Sequence, residues 1–201
     1  MANANTPRGL IPYRRYDGSL WNGSANIYYV PSTYATALYI GQPLVATGAS
    51  DANGIPVVQT ATAAGGAYTI GPMVGIVSGG TPVIGITRDL PVYHPASTSQ
   101  YILVADDPNL LFWIQEDSVG GSIATATAGT KNADLVAGTG STVTGYSGWM
   151  LDSSTINTTN TLQLRIMSAL QQVDNVVGTS DSYAKWLVKI NLHSVLNTTG
   201  V

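Results

Sequence analysis

Two late segments alternate apolar and polar side chains with a period of two. Across residues 161–166, Leu162, Leu164 and Ile166 alternate with Gln163 and Arg165. Across residues 186–192, Trp186, Val188, Ile190 and Leu192 share one face while Lys189 and Asn191 take the other. That period marks a half-buried strand. Earlier apolar runs are shorter and bounded by turn residues: 37–40, 44–46, 57–58, 68–70, 73–77, 83–86, 101–105, 110–114, 143–146 and 149–151. Asn53-Gly54 and the run Asp106, Asp107, Pro108, Asn109 are turn signals. Gly75 and Gly85 interrupt two of the runs, which are predicted to be neighbouring strands, each glycine marking a bulge or a close backbone approach. The stretch 164–177 also reads as a helix, weakly, because alternation runs into it and Gly178 follows. No window of twelve or more residues carries a convincing helical stripe. Short strands at intervals of 8–12 residues predict an all-β fold, a single β-barrel or jelly-roll-like β-sandwich. Strand order is not encoded in periodicity.

Residues 1–35 break this pattern. Pro7, Pro12 and Pro31 interrupt regular structure, and aromatic residues are interleaved with Arg, Asn and Gly. The segment is predicted to be an extended N-terminal arm on a β domain of residues 36–201. Arg8, Tyr13, Arg14, Arg15, Tyr16, Trp21, Tyr28 and Tyr29 are its candidate partner-binding anchors, since Arg and aromatic side chains dominate interface energetics. Packing of the segment on its own domain is the other reading. Residues 120–145, rich in Gly, Ala and Thr, are expected to form a long loop or an edge excursion.

Composition sharpens the picture. Only 9% of the 201 residues are charged, against about 25% in ordinary soluble domains. At 44% hydrophobic, the chain can still bury a core. Few charges suit a protein whose surface is covered by neighbours. The net charge of −3 argues against nucleic acid as the main partner. There is no cysteine, no basic and apolar leader, and no run long enough for a membrane-spanning helix. A soluble chain made in the cytoplasm is expected, and the sequons at Asn22, Asn157 and Asn197 then read as polar loop residues.

Candidate chemistry is sparse. His94 and His193 are the two histidines, expected at the surface or rim. With no cysteine, a zinc site would have to recruit carboxylates. Asp106, Asp107, Glu116 and Asp117 form the one dense carboxylate cluster, on which a glycan hydrolase would have to depend. They read more simply as turns on either side of one strand, and the alternating ligand spacing of a calcium loop is missing. Ser182-x-x-Lys185 matches a penicillin-recognition motif without its companion motifs. No catalytic residue, cofactor or metal is assigned.

Several phrases carry a resemblance: the opening Met1-Ala-Asn-Ala-Asn-Thr-Pro-Arg-Gly-Leu10, Asp51-Ala-Asn-Gly-Ile-Pro56, Val104-Ala-Asp-Asp-Pro-Asn109, Ile114-Gln-Glu-Asp117, Leu164-Arg-Ile166 and Ala184-Lys-Trp-Leu-Val-Lys-Ile-Asn191. Together, across most of the chain, they resemble a family of structural proteins of tailed bacteriophages found beside the major capsid protein. The resemblance implies a non-enzymatic capsid decoration, or cement, protein. It would bind the outside of the head as a homotrimer and clamp capsomers of the major capsid protein, with neither nucleic acid nor membrane as a partner. Its place would be the exterior of the virion, after assembly in the host cytoplasm. A trimer touching several capsomers raises overall affinity by about 10²–10⁴ over a single contact. A tail, head–tail joining or host-adhesion protein is the alternative, with surface Tyr and Trp then free to stack on sugars.

Overall fold

Twelve strands and two short 3-10 turns make up the described fold of a computed structural model, which is nearly all β. It describes residues 3–77, 90–119, 123, 128–178, 183–197 and 200. A five-stranded sheet runs in the order β1 (Ile11–Arg15), β7 (Leu110–Gln115), β12 (Lys185–Ile190), β11 (Leu164–Ala169) and β8 (Asn132–Ala133). All of its pairings are antiparallel. The small sheet of β9 (Leu135–Val136) and β10 (Met150–Leu151) supplies Leu135 and Leu151 to the same core. Alternation decides what is buried: Leu110, Phe112 and Ile114 of β7, Trp186, Val188 and Ile190 of β12, and Leu164 and Ile166 of β11 point into one cluster, joined by Leu10 and Trp149.

The second unit is a closed five-stranded barrel of β2 (Asn26–Val30), β4 (Pro56–Thr60), β3 (Pro43–Ser50), β5 (Gly71–Ile76) and β6 (Gln100–Val104). One of its five pairings, β2 with β4, is parallel. Tyr28, Val30, Leu44, Val58, Met73, Ile102 and Val104 fill the interior, with Leu38 and Ile70 from the connections. Closure leaves the barrel without a backbone edge. The register of β5 against β6 slips between Met73 and Gly75, the bulge that the interior glycine predicted. The Asn53-Gly54 turn is also present, with Gly54 at φ +78° and its N–H donating to the Asp51 carbonyl.

Residues 1–35 do not form the expected arm. Leu10 is fully buried in the first core, β1 is a sheet strand and β2 is a barrel stave. Pro12 is tolerated because it sits on an edge strand, at a bulge between Pro12 and Arg14. Backbone approaches too close for a side chain stitch the two units together. Gly9 and Gly41, at φ +74° and +85°, lie so near each other's chain that a Cβ on Gly41 would meet the Arg8 carbonyl oxygen at 1.9 Å. The Leu10 N–H donates to the Gly41 carbonyl, and the Gly41 N–H donates to that of Met73. One core is thereby tied to the other through a single glycine.

Three other expectations change. Residues 68–70 and 143–146 pair through isolated bridges, Thr69 with His193 and Tyr146 with Ile40, rather than as strands. Residues 164–177 are β11 followed by turns, not a helix. The expected 120–145 loop contains β8 and β9, and the glycines that follow permit packing rather than looseness: a Cβ on Gly140 would strike the Tyr39 ring at 2.3 Å. The predicted strand at 83–86 lies outside the described residues.

Candidate docking surface

The outward face of the five-stranded sheet gathers half of the cations of this chain. Cross-strand register places Arg14 opposite Leu111, Leu111 opposite Lys189, Lys189 opposite Arg165, and Arg165 opposite Asn132. Partners in register point to the same side, and Leu111 points away from the core that takes Leu110 and Phe112. The row therefore carries three cations on one face. Lys185, two rows along, adds a fourth of the chain's eight Lys and Arg. Ile11, Trp113 and Leu187 form the row between them.

Most of these charges lack acidic company. Lys185 pairs with Asp174 at 3.0 Å and lies 5.9 Å from the centre of the Trp113 ring. Lys189 sits 5.4 Å from the centre of the Tyr16 ring, and the Arg165 Nε–H donates to the Asn132 side-chain oxygen at 3.2 Å. Neither Arg14, Lys189 nor Arg165 forms an ion pair with a described carboxylate. Directly opposed like charges on a sheet are destabilising. Lys189 facing Arg165 is such a pair.

The eight anchors expected from sequence are only partly brought together. Arg14 and Tyr16 belong to this face, and Tyr13 is the extra residue of the β1 bulge, half-exposed beside them. Arg15 is engaged with Asp107 at 3.0 Å. Arg8 lies over Tyr146, 4.7 Å from the ring centre, and Trp21 packs against the first core with its indole N–H on the Ser24 carbonyl. Tyr28 is not an available anchor: its ring is in the barrel interior and its hydroxyl donates to Asp106. Burial, and then that carboxylate, raise the pKa of the Tyr28 hydroxyl. Tyr29 stands on the barrel wall beside Tyr101. Trp113, Arg165, Lys185 and Lys189 were missed as site residues, because only register reveals that they are neighbours of Arg14.

The four clustered carboxylates serve the scaffold. Asp106 accepts from Asn26 and Tyr28, Asp107 pairs with Arg15, and Asp117 accepts from the backbone and hydroxyl of Ser153. Glu116 is fully buried, accepting from the Trp186 indole at 2.9 Å and from the Ile123 N–H at 3.2 Å. Burial pushes its pKa up, and the indole donor pulls it back. Among the described residues, no group of three or more His, Asp or Glu is placed to hold a metal ion.

Both histidines are buried, not at the rim. The His94 ring bonds the Thr98 carbonyl at 2.8 Å, and His193 Nδ1 accepts from the Val195 N–H at 3.2 Å. Burial lowers the pKa of each below the ordinary 6.5. Below that value the unfolded chain takes up protons that the folded chain refuses, so stability falls as the pH drops, and above it the two rings have no such effect. His193→Gln is expected to remove its share. The thermal midpoint of the variant should fall less than that of the unaltered protein between about pH 7 and about pH 5. Glu116 acts in the opposite sense but equally in both proteins, so parallel curves would refute the assignment.

No family model, curated protein or solved structure matches the chain. The geometry and the sequence resemblance are what bear on its role.

Proposed function

We propose that the chain is a structural subunit of a tailed-bacteriophage particle, a decoration protein that docks on the outside of the head as a homotrimer and carries out no catalysis. The observation that supports this most is the Arg14, Leu111, Lys189, Arg165 row. Two cations forced together on one sheet face, in a protein of net charge −3, form a surface that a carboxylate-rich partner would relieve. Trp113 and Tyr16 beside them supply the amphipathic rings that interfaces favour. The engagement of Asp106, Asp107, Glu116 and Asp117 with the scaffold leaves the hydrolase reading without a free carboxylate pair. The low charged fraction and the sequence resemblance favour a subunit covered by neighbours.

Lys189→Glu tests the reading because its two expected effects have opposite signs. In the isolated protein it turns a repulsive cross-strand pair into an attractive one, raising stability by about 0.2–1 kcal/mol. On the particle it sets a like charge against the partner's carboxylates, and incorporation into heads that lack the protein should fall by at least about tenfold. Normal incorporation of a well-folded Lys189→Glu protein would overturn the docking face. Heads lacking the protein altogether are expected to fail earlier under heat and low-salt shock than complete heads. Equal survival would overturn the clamping role itself.

A further inference from the structure

On the outer wall of the barrel, away from the cationic sheet, Tyr29 and Tyr101 are register partners on β2 and β6. Their rings are 5.2 Å apart and tilted by 47°. They point outward, since their neighbours Tyr28 and Ile102 fill the interior. The turn after β3 closes over this pair and leaves a recess of about 190 Å³ lined by Tyr29, Asp51, Asn53, Ser99, Gln100 and Tyr101. That is smaller than the roughly 300–1,000 Å³ of drug-sized pockets, so it suits one small cyclic ligand rather than a chain.

The recess is rigidly built. Tyr101 donates its hydroxyl to Asp51 and receives the Asn53 amide at 3.0 Å. The other Asp51 oxygen accepts the N–H groups of Asn53 and Ile55, each at 2.8 Å. Burial opposes ionisation of Asp51, but these hydrogen bonds outweigh it and hold its carboxyl below the usual range. What remains for a ligand is the half-buried Tyr29 ring with its hydroxyl, the Asn53 side-chain oxygen and the Ser99 hydroxyl. None of these three polar groups makes a hydrogen bond to a described residue.

We infer that this recess binds a single neutral sugar residue, the apolar C–H face of its ring on Tyr29 and its hydroxyls on Asn53 and Ser99. An aromatic ring with an amide and a hydroxyl beside it fits a ligand that is apolar on its faces and hydroxylated at its rim. The ionised Asp51 and the lack of a lining Lys or Arg among the described residues disfavour phosphates and acidic sugars. The site is independent of the docking face, so a decoration protein seated through its cationic sheet would keep it, and either assignment can fail without the other.

The test is a heteronuclear NMR titration of the isolated full chain with methyl glycosides of glucose, galactose, mannose and N-acetylglucosamine, with glucuronate and glycerol as controls. At least one neutral glycoside is expected to bind in the millimolar range, shifting residues 29, 51–53 and 99–101 together. Tyr29→Ala should weaken binding by at least about tenfold, Tyr29→Phe should keep the stacking and lose about threefold or less, and Tyr68→Ala, on another exposed tyrosine, should change nothing. The shift map reads the site in the unaltered protein, so it stands even if Tyr29→Ala fails to fold. Saturable shifts confined to other residues, no response to any neutral glycoside, or equal response to glycerol would each overturn the assignment.

Discussion

Trp186→Ala is expected to lower unfolding stability by about 3–5 kcal/mol, the range for deleting a large aromatic from a packed core. Trp186 is 2% exposed among Phe112, Ile114, Val188 and the other residues of the first core. The ring also carries the donor that satisfies Glu116, so the substitution leaves a fully buried carboxyl with the Ile123 N–H alone on its bonded oxygen. An under-satisfied buried acceptor adds about 1–3 kcal/mol. The sum is comparable with the whole stability of a typical domain, about 5–15 kcal/mol. Trp186→Phe separates the two contributions. It keeps most of the volume and loses the N–H, so its cost should be the smaller figure and should shrink at acid pH, where the carboxyl is protonated and needs the donor less. Chemical denaturation of both variants at acid and alkaline pH measures this. A Trp186→Phe cost that does not change with pH would show that the indole hydrogen bond contributes little.

Gly41→Ala is expected to be nearly as severe, for a reason unrelated to core volume. Positive φ at a residue with a Cβ costs about 1–3 kcal/mol by itself. The added methyl would also sit 1.9 Å from the Arg8 carbonyl oxygen and 3.2 Å from the Ile11 side chain, so the chain from 8 to 11 must move. That movement breaks the hydrogen bond by which Leu10 holds the Gly41 carbonyl, at the junction of the two cores. Gly54→Ala is the control, with a similar positive φ of +78° and open space around it; it should show the conformational cost alone. Thermal unfolding of the two variants compares them, and equal losses would mean that the junction tolerates displacement.

Strand β11 was legible because one face is buried and the other wet, and β12 because Lys185 and Lys189 mark its outward face even though Leu187 is buried there, so the alternation that registers in the sequence is the alternation that pays for folding. The central strand β7 reads as a continuous apolar run since Leu111 is buried on its outward face as well. Strands β1 and β2 were not legible. β1 is an edge strand with a proline and a bulge, exposed from Tyr13 onward, and it resembles an arm in every local respect. β2 is short, and its inward residues Tyr28 and Val30 alternate with Ile27 and Tyr29, so no apolar–polar period marks them. The docking face shows the same limit. Arg14 was visible as a cation and Lys189 as the polar phase of a strand, but their proximity depends on which strands pair and in what register, which is settled by long-range packing. The histidines misled because an imidazole beside a proline looks like a turn at the surface, whereas backbone pairing of His94 with Leu38 carries it inward.

Each end of the five-stranded sheet is already occupied by this chain's own backbone. Beyond β1, Leu20 bridges to Arg14, and the Arg15 N–H donates to the Ser19 carbonyl. Beyond β8, Asn157 exchanges backbone hydrogen bonds with Asn132, and the Asn132 side chain reaches the Thr159 carbonyl. With only 9% of residues charged, copies meeting at high concentration would otherwise tend to zip together into fibrils through unpaired strands. With those main-chain groups spent internally, self-association is left to side-chain surfaces, which can be specific, reversible and limited in size.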